Sequence, residues 1–146
     1  MWHRIFAAAD AEPAPAAILE RLNTLVAAAG HFHGDDAGWF RAEFVVAGST
    51  LVLERFLAAE QGIRAELNSW AAHLEAGDDP ERVRLMERVI QSRQLFTLER
   101  PDDAPPTLDK VCISLCRFLA EAIDGFYQID DRGFFSADGA LLLRDA

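Results

Sequence analysis

Gly125-Phe126-Tyr127-Gln128-Ile129-Asp130-Asp131-Arg132-Gly133-Phe134-Phe135 is an apolar run, a polar turn and a second apolar run. Short runs rich in aromatic and branched residues, bounded by Asp and Gly, read as strands. Asp138-Gly139 then turns the chain into Leu141-Leu142-Leu143. Just upstream, Pro105-Pro106-Thr107 opens an apolar series from Leu108 to Ile123 at helical spacing, with Gly125 as its expected stop. A long helix followed by hairpin-linked strands describes an α+β domain that closes its core with its C-terminal strands.

At the other end of the chain, His3 to Ala9 reads as a first strand. A helix follows Pro13 and Pro15, carrying Ile18, Leu22, Leu25, Val26 and Ala29 on one stripe and ending at Gly30. His31 to Gly38 reads as a loop. Trp39 to Val46 and Leu51 to Phe56 alternate in polarity around Gly48-Ser49, a pair suited to a two-residue turn. That turn pairs Val46 with Leu51, Phe44 with Leu53 and Glu43 with Glu54. Glu60 to Glu75 is a helix with Ile63, Leu67, Trp70 and Leu74 facing in. Asp79-Pro80 caps the next helix, which runs to about Gln94. Leu95 to Glu99 is a strand. The expected order is β-α-β-β-α-α-β-α-β-β in a single domain spanning 1–146. Because the strands bunch in hairpins, the sheet is expected to be mainly antiparallel with helices packed on one face.

The 146 residues are 51% hydrophobic and include ten Phe, ample for one core. The formal net charge of −10 repels phosphate backbones and anionic lipid surfaces, which argues against nucleic acid and membrane partners. The same field favours a basic protein partner. Lys110 is the sole lysine beside abundant Arg and Ala, a composition that fits a GC-rich bacterial genome. Asp10 and Glu12 interrupt the apolar start before a signal peptide could build up. No run approaches the roughly twenty apolar residues of a membrane span. A cytoplasmic location is the expectation. Cys112 and Cys116 lie four apart on one helix, unsuited to a disulfide, and read as reduced thiols, Cys112 in the core and Cys116 at the edge of the stripe.

Chemistry is harder to find. No glycine-rich nucleotide loop or nucleophile elbow occurs, so no cofactor is implied. His31-Phe32-His33-Gly34-Asp35-Asp36 is the most metal-like run, with His31, His33 and Asp35 as candidate ligands. It resembles the H-x-H-x-D-H motif of the metallo-β-lactamase superfamily over six positions, departing at Asp36 where the motif ends in His. The chain is too short for that two-sheet fold, and a turn explains the same residues, so no tightly bound zinc is expected. Glu43 and Glu54, opposed in the expected register, form a candidate carboxylate pair, with Arg41, Arg55 or Arg64 placed to neutralise it. Arg64 and Asn68, one turn apart, make a candidate polar contact patch. The binding set is therefore Arg41, Glu43, Glu54, Arg64 and Asn68. The function expected is non-enzymatic protein binding of an immunity or adaptor type. The alternative is a small-molecule-binding or hydrolytic protein using the carboxylate pair or the His31/His33 loop. A homodimer through the apolar C-terminal strands is left open.

Overall fold

The structure, a computed structural model, describes residues 1–145. Its elements are β1 (Trp2–Ala7), α1 (Pro15–Asn23), β2 (Ala28–Asp35), β3 (Gly38–Val46), β4 (Ser49–Leu57), α2 (Ile63–Glu75), α3 (Pro80–Gln91), β5 (Gln94–Glu99), α4 (Pro106–Ala122), β6 (Gly125–Ile129), β7 (Gly133–Ser136) and β8 (Leu141–Arg144). All eight strands join one antiparallel sheet in the order β2-β3-β4-β5-β1-β6-β7-β8. The α+β class and the order of elements match the sequence reading, with two strands more. β8 forms from Leu141 to Arg144, and β2 occupies much of the segment read as a loop.

The helices divide between both faces of the sheet, which corrects the expectation of a single helical layer. Ile5 and Ala7 of β1 join a core with Ile18 and Leu22 of α1 and with Leu108, Leu115 and Leu119 of α4. Phe6, between them, faces the other way and joins Leu67 and Leu74 of α2 and Leu85 and Val89 of α3. Side chains alternate across a strand, so consecutive buried residues require cover on both sides. The pairs Leu95-Phe96 and Phe126-Tyr127 show the same double burial in β5 and β6. In β3, by contrast, Ala42, Phe44 and Val46 are buried while Val45 is 56% exposed, so only the α1/α4 side is covered there.

Local chemistry explains where the elements stop. Asp79 accepts a hydrogen bond from the Glu81 amide (2.9 Å) and Pro80 opens α3, as expected. α1 ends earlier than expected, at Asn23. The Asn23 side chain donates to the Leu19 and Ala28 carbonyls and accepts from the Ala28 amide, so one residue closes the helix and starts β2. Leu25 is consequently exposed rather than part of the stripe. Gly30, read as a helix stop, lies inside β2, where a Cβ would sit 2.8 Å from the buried Phe44 ring. Gly125 opens β6 pressed against the Phe6 carbonyl, while the preceding turn is made by Asp124 at φ 51°.

The β3–β4 register differs from the expected one by two residues. Phe44 pairs with Leu51, Ala42 with Leu53 and Arg41 with Glu54. The turn is Ala47-Gly48, with φ of 50° and 78°, the two positive values of a type I′ hairpin. Polarity alternation has a period of two, so a slip of two leaves every side chain on its own face. The pattern therefore specified the faces but could not separate these two registers.

Both cysteines are buried and unbridged. Burial pushes the Cys112 thiol up to about 12 and also raises Cys116 well above its ordinary value. Cys116, expected at the edge of the stripe, is fully buried because α1 packs along α4 and widens its covered side.

Candidate functional site

The uncovered part of the sheet carries Arg41, Glu43, Glu54, His31 and His33 of the sequence-predicted residues, while Arg64 and Asn68 lie apart on α2. Cross-strand pairing lines up His33, Arg41, Glu54, Thr97, Arg4 and Gln128 as one row running from β2 to β6. A parallel row holds His31, Glu43, Val52, Glu99 and Trp2. Both rows lie on the face that α2 and α3 cover from β5 and β1 to β8 but leave open over β2 to β4. The β2–β4 portion stays open, with the side chains of Arg41, Glu43 and Glu54 at 39, 41 and 34% exposure.

Glu43 and Glu54 are not opposite each other. Glu43 pairs with Val52, and Arg41 stands across from Glu54. The Arg41 Nε donates to Glu43 Oε1 at 3.1 Å, and its Nη1 lies 3.9 Å from Glu54 Oε2. A guanidinium between two carboxylates removes the mutual repulsion on which a shared-proton pair depends. His31 and His33 project from the edge strand opposite Glu43 and Arg41, and Asp35 folds back to accept from the Ala37 amide (2.8 Å) as an ordinary turn residue. Among the described residues, no three His, Cys, Asp or Glu side chains come close enough to hold one metal ion. Arg64 turns toward α3, where it donates to the Ile90 carbonyl (3.0 Å), and Asn68 is exposed on α2. Among the described residues, no hydrogen bond or ion pair joins either to the hairpin trio.

At its α2 end the open face runs into a cleft that the sequence did not disclose. The cleft has a volume of about 750 Å³ and is lined by Trp70, Glu66, His73, Gln128, Asp130 and Asp131, among others. Its size lies within the range of small-ligand sites. Trp70 is held edge-on by Phe6, His73 and Phe134, and its indole N–H donates to Glu66 (3.3 Å). Arg4, from the sheet row, lies 4.8 Å from the Trp70 ring centroid. The Arg4 Nη1 donates to Gln128 Oε1 and to Asp130 Oδ1, both at 2.8 Å. Burial would raise the Asp130 carboxyl, but hydrogen bonds from Arg4, Gln128 and the Trp2 amide outweigh it and hold the group below its usual value. Asp130 is thus a fixed anion rather than an acid poised to give up a proton near neutrality.

Sequence reading placed Trp70 in the core and Asp130-Asp131 in a turn, and both readings were incomplete. Trp70 is half-buried, shared between the α2 core and the cleft. Asp131 does make the turn, at φ 67°, while also lining the cleft. Trp70 and Gln128 are 58 positions apart and meet only because α2 crosses the sheet above β1 and β6, so spacing alone carries no trace of the site. Among the described residues, no helix is long and apolar enough to cross a membrane. Compared with known proteins, the chain matches no family model, no curated protein and no solved structure.

Proposed function

We propose that this is a non-enzymatic bacterial protein of the cytoplasm that binds a basic protein partner across the open half of its sheet, in the manner of an immunity protein or adaptor. The observation that carries the reading is the half-covered sheet. Over β2 to β4 the polar side chains of His31, His33, Arg41, Glu43 and Glu54 stay in solvent beside a cleft, on a face whose other half is packed under α2 and α3. Along the two cross-strand rows the carboxylates of Glu43, Glu54, Glu99 and the adjoining Asp130 face two guanidiniums, Arg4 and Arg41. Such a surface complements a basic patch and speeds its encounter. The alternative, a small-molecule-binding protein, draws its support from the cleft rather than from the carboxylate pair, because Arg41 separates Glu43 from Glu54.

The test is affinity capture from the source bacterium with two charge-matched variants. Glu43→Lys with Glu54→Lys alters the open face; Glu20→Lys with Glu121→Lys alters exposed helical positions on the opposite side. The expected result is a specific partner retained by the second variant and lost by the first. Equal retention by both, with circular dichroism showing both folded, refutes the assignment of the face.

A further inference from the structure

The cleft at the α2 end of the open face has chemistry of its own. Glu66 and Asp131 are exposed at its rim, Asp145 is half-buried, and among the described residues none of the three has a cation within ion-pair distance. Glu66 accepts one hydrogen bond from Trp70 and, among the described residues, keeps its other oxygen free. Gln128, 98% buried, uses one amide hydrogen on Asp130 and has a second to give. The wall is aromatic, the rim is anionic, and a volume of about 750 Å³ is open to the adjoining sheet face.

The structure also shows how this surface treats a guanidinium. Arg4 reaches the Trp70 ring and divides its donors between an amide oxygen and a carboxylate. Carboxylates dispersed around an aromatic wall suit a flat group with five donors better than a compact ammonium. An ammonium has three donors and gives up its hydration less readily. The counterbalancing charges in the cleft are few: Arg82 is turned to the His73 carbonyl, and Arg4 is already matched by Asp130.

We infer that this cleft is the seat of an arginine side chain supplied by the partner, a step that rests on the protein-binding reading above. The arginine enters from the open sheet face with its guanidinium between Glu66 and Asp131 beside Trp70. Its neighbouring backbone lies over Gln128, whose spare amide hydrogen meets a peptide carbonyl.

The experiment uses the full chain, labelled with nitrogen-15, and three acetylated, amidated pentapeptides: Gly-Gly-Arg-Gly-Gly and its Lys and Gln counterparts. The readout is the Trp70 indole N–H resonance. The arginine peptide should shift it saturably, the lysine peptide should bind several-fold more weakly, and the glutamine peptide should leave it unmoved. Asp131→Asn and Glu66→Gln should each weaken the arginine peptide about tenfold, the loss expected for one charge-assisted pair. Asn tolerates the left-handed backbone at 131, and Gln keeps an acceptor for the Trp70 indole, so both variants should fold. Absence of any shift, a lysine peptide that binds as tightly as arginine, or indifference to both variants overturns the inference. If the peptides fail while Glu43→Lys with Glu54→Lys still abolishes capture, the cleft assignment falls and the protein-binding reading stands. If the arginine peptide binds but capture ignores the sheet charges, the reading falls and the cleft remains a guanidinium site.

Discussion

His3 should make this protein acid-sensitive in a way that can be traced to one ring. It sits at the start of the central strand β1, fully buried toward α4, and neither ring nitrogen makes a hydrogen bond of good geometry, the Leu98 carbonyl being its weak neighbour. Burial lowers its pKa from 6.5 to about 4, with Arg100 and Arg132 adding to the effect; Asp109 and the Leu98 carbonyl oppose it. Between pH 6.5 and 4 the unfolded chain therefore binds a proton at this position that the folded chain refuses. Stability follows the excess of protons bound by the unfolded state, so it is intact above pH 6.5 and falls as pH drops through that window. The gap of 2.5 between the two values corresponds to about 3 kcal/mol once pH is below 4, and about 2 kcal/mol is already lost at pH 5. That is a substantial share of the roughly 5–15 kcal/mol by which ordinary domains are stable. Carboxylates also titrate toward the acid end, so the measurement is a difference: urea unfolding of the native chain and of His3→Phe at half-unit steps from pH 4 to 7.5. Phe has similar bulk and no polar atoms to leave unpaired, so it should equal or exceed the native stability at pH 7.5. The variant's advantage should then grow by about 2 kcal/mol by pH 5. Parallel curves, or a His3 ring that titrates near 6.5 in the folded protein by NMR, would refute the reasoning.

Three further outcomes test the packing. Ala47→Gly should stabilise the chain by up to about 1 kcal/mol, because Ala47 holds a left-handed φ of 50° in the turn; were the turn at Gly48-Ser49, the same change in a strand would destabilise, so the sign of the shift in chemical unfolding decides the register. Gly125→Ala should cost about 3 kcal/mol or prevent folding, since its Cβ would drive into the Phe6 carbonyl of the paired strand, and thermal melting reads the loss. Cys112→Ser should cost about 1–3 kcal/mol if its buried hydroxyl gains no hydrogen bond, and both native thiols should react with a colorimetric thiol reagent only as the chain unfolds; rapid stoichiometric labelling of the folded protein would contradict their burial.

What could be read from the sequence depended on whether the deciding signal was local. The Asp79-Pro80 cap, the α4 stripe and the C-terminal hairpin were legible because each is settled within a few residues. β2 was hidden because it is an edge strand. Its only inward aromatic, Phe32, is flanked by exposed histidines, and the Asp and Gly of its terminal turn dominate the composition. The hairpin register escaped because alternation cannot detect a slip of two. The carboxylate pair Glu43/Glu54 fell with that register, while Arg41, Glu43 and Glu54 stayed neighbours because the slip kept them on one face. The cleft was beyond reach: Trp70 and Asp130 each had a sufficient local explanation, as a core aromatic and a turn residue.

The width of the sheet exceeds what its helices can cover. Eight strands at about 4.8 Å spacing make a sheet roughly 34 Å wide, whereas two helices of about 10 Å diameter cover roughly 20 Å of it. Four helices shared between two faces therefore leave part of the sheet bare unless loops fill the gap. On the α1/α4 side the 8–14 segment does so: the buried Pro13 carbonyl accepts the Trp39 indole N–H at 2.8 Å, and Gln94 donates to the Ala9 and Ala11 carbonyls. The α2/α3 side has no such cover over β2 to β4 among the described residues. Which strands stay bare is written in their polarity. β1, β5 and β6 carry consecutive apolar residues and need cover on both sides; β3 alternates and needs it on one. Double cover thus goes to the strands that cannot be wet, and the open half lies over the strands whose second face is already polar. The charges of Arg41, Glu43 and Glu54 hence occupy the part of the sheet that can carry them without a desolvation penalty, and it is the part a partner can reach.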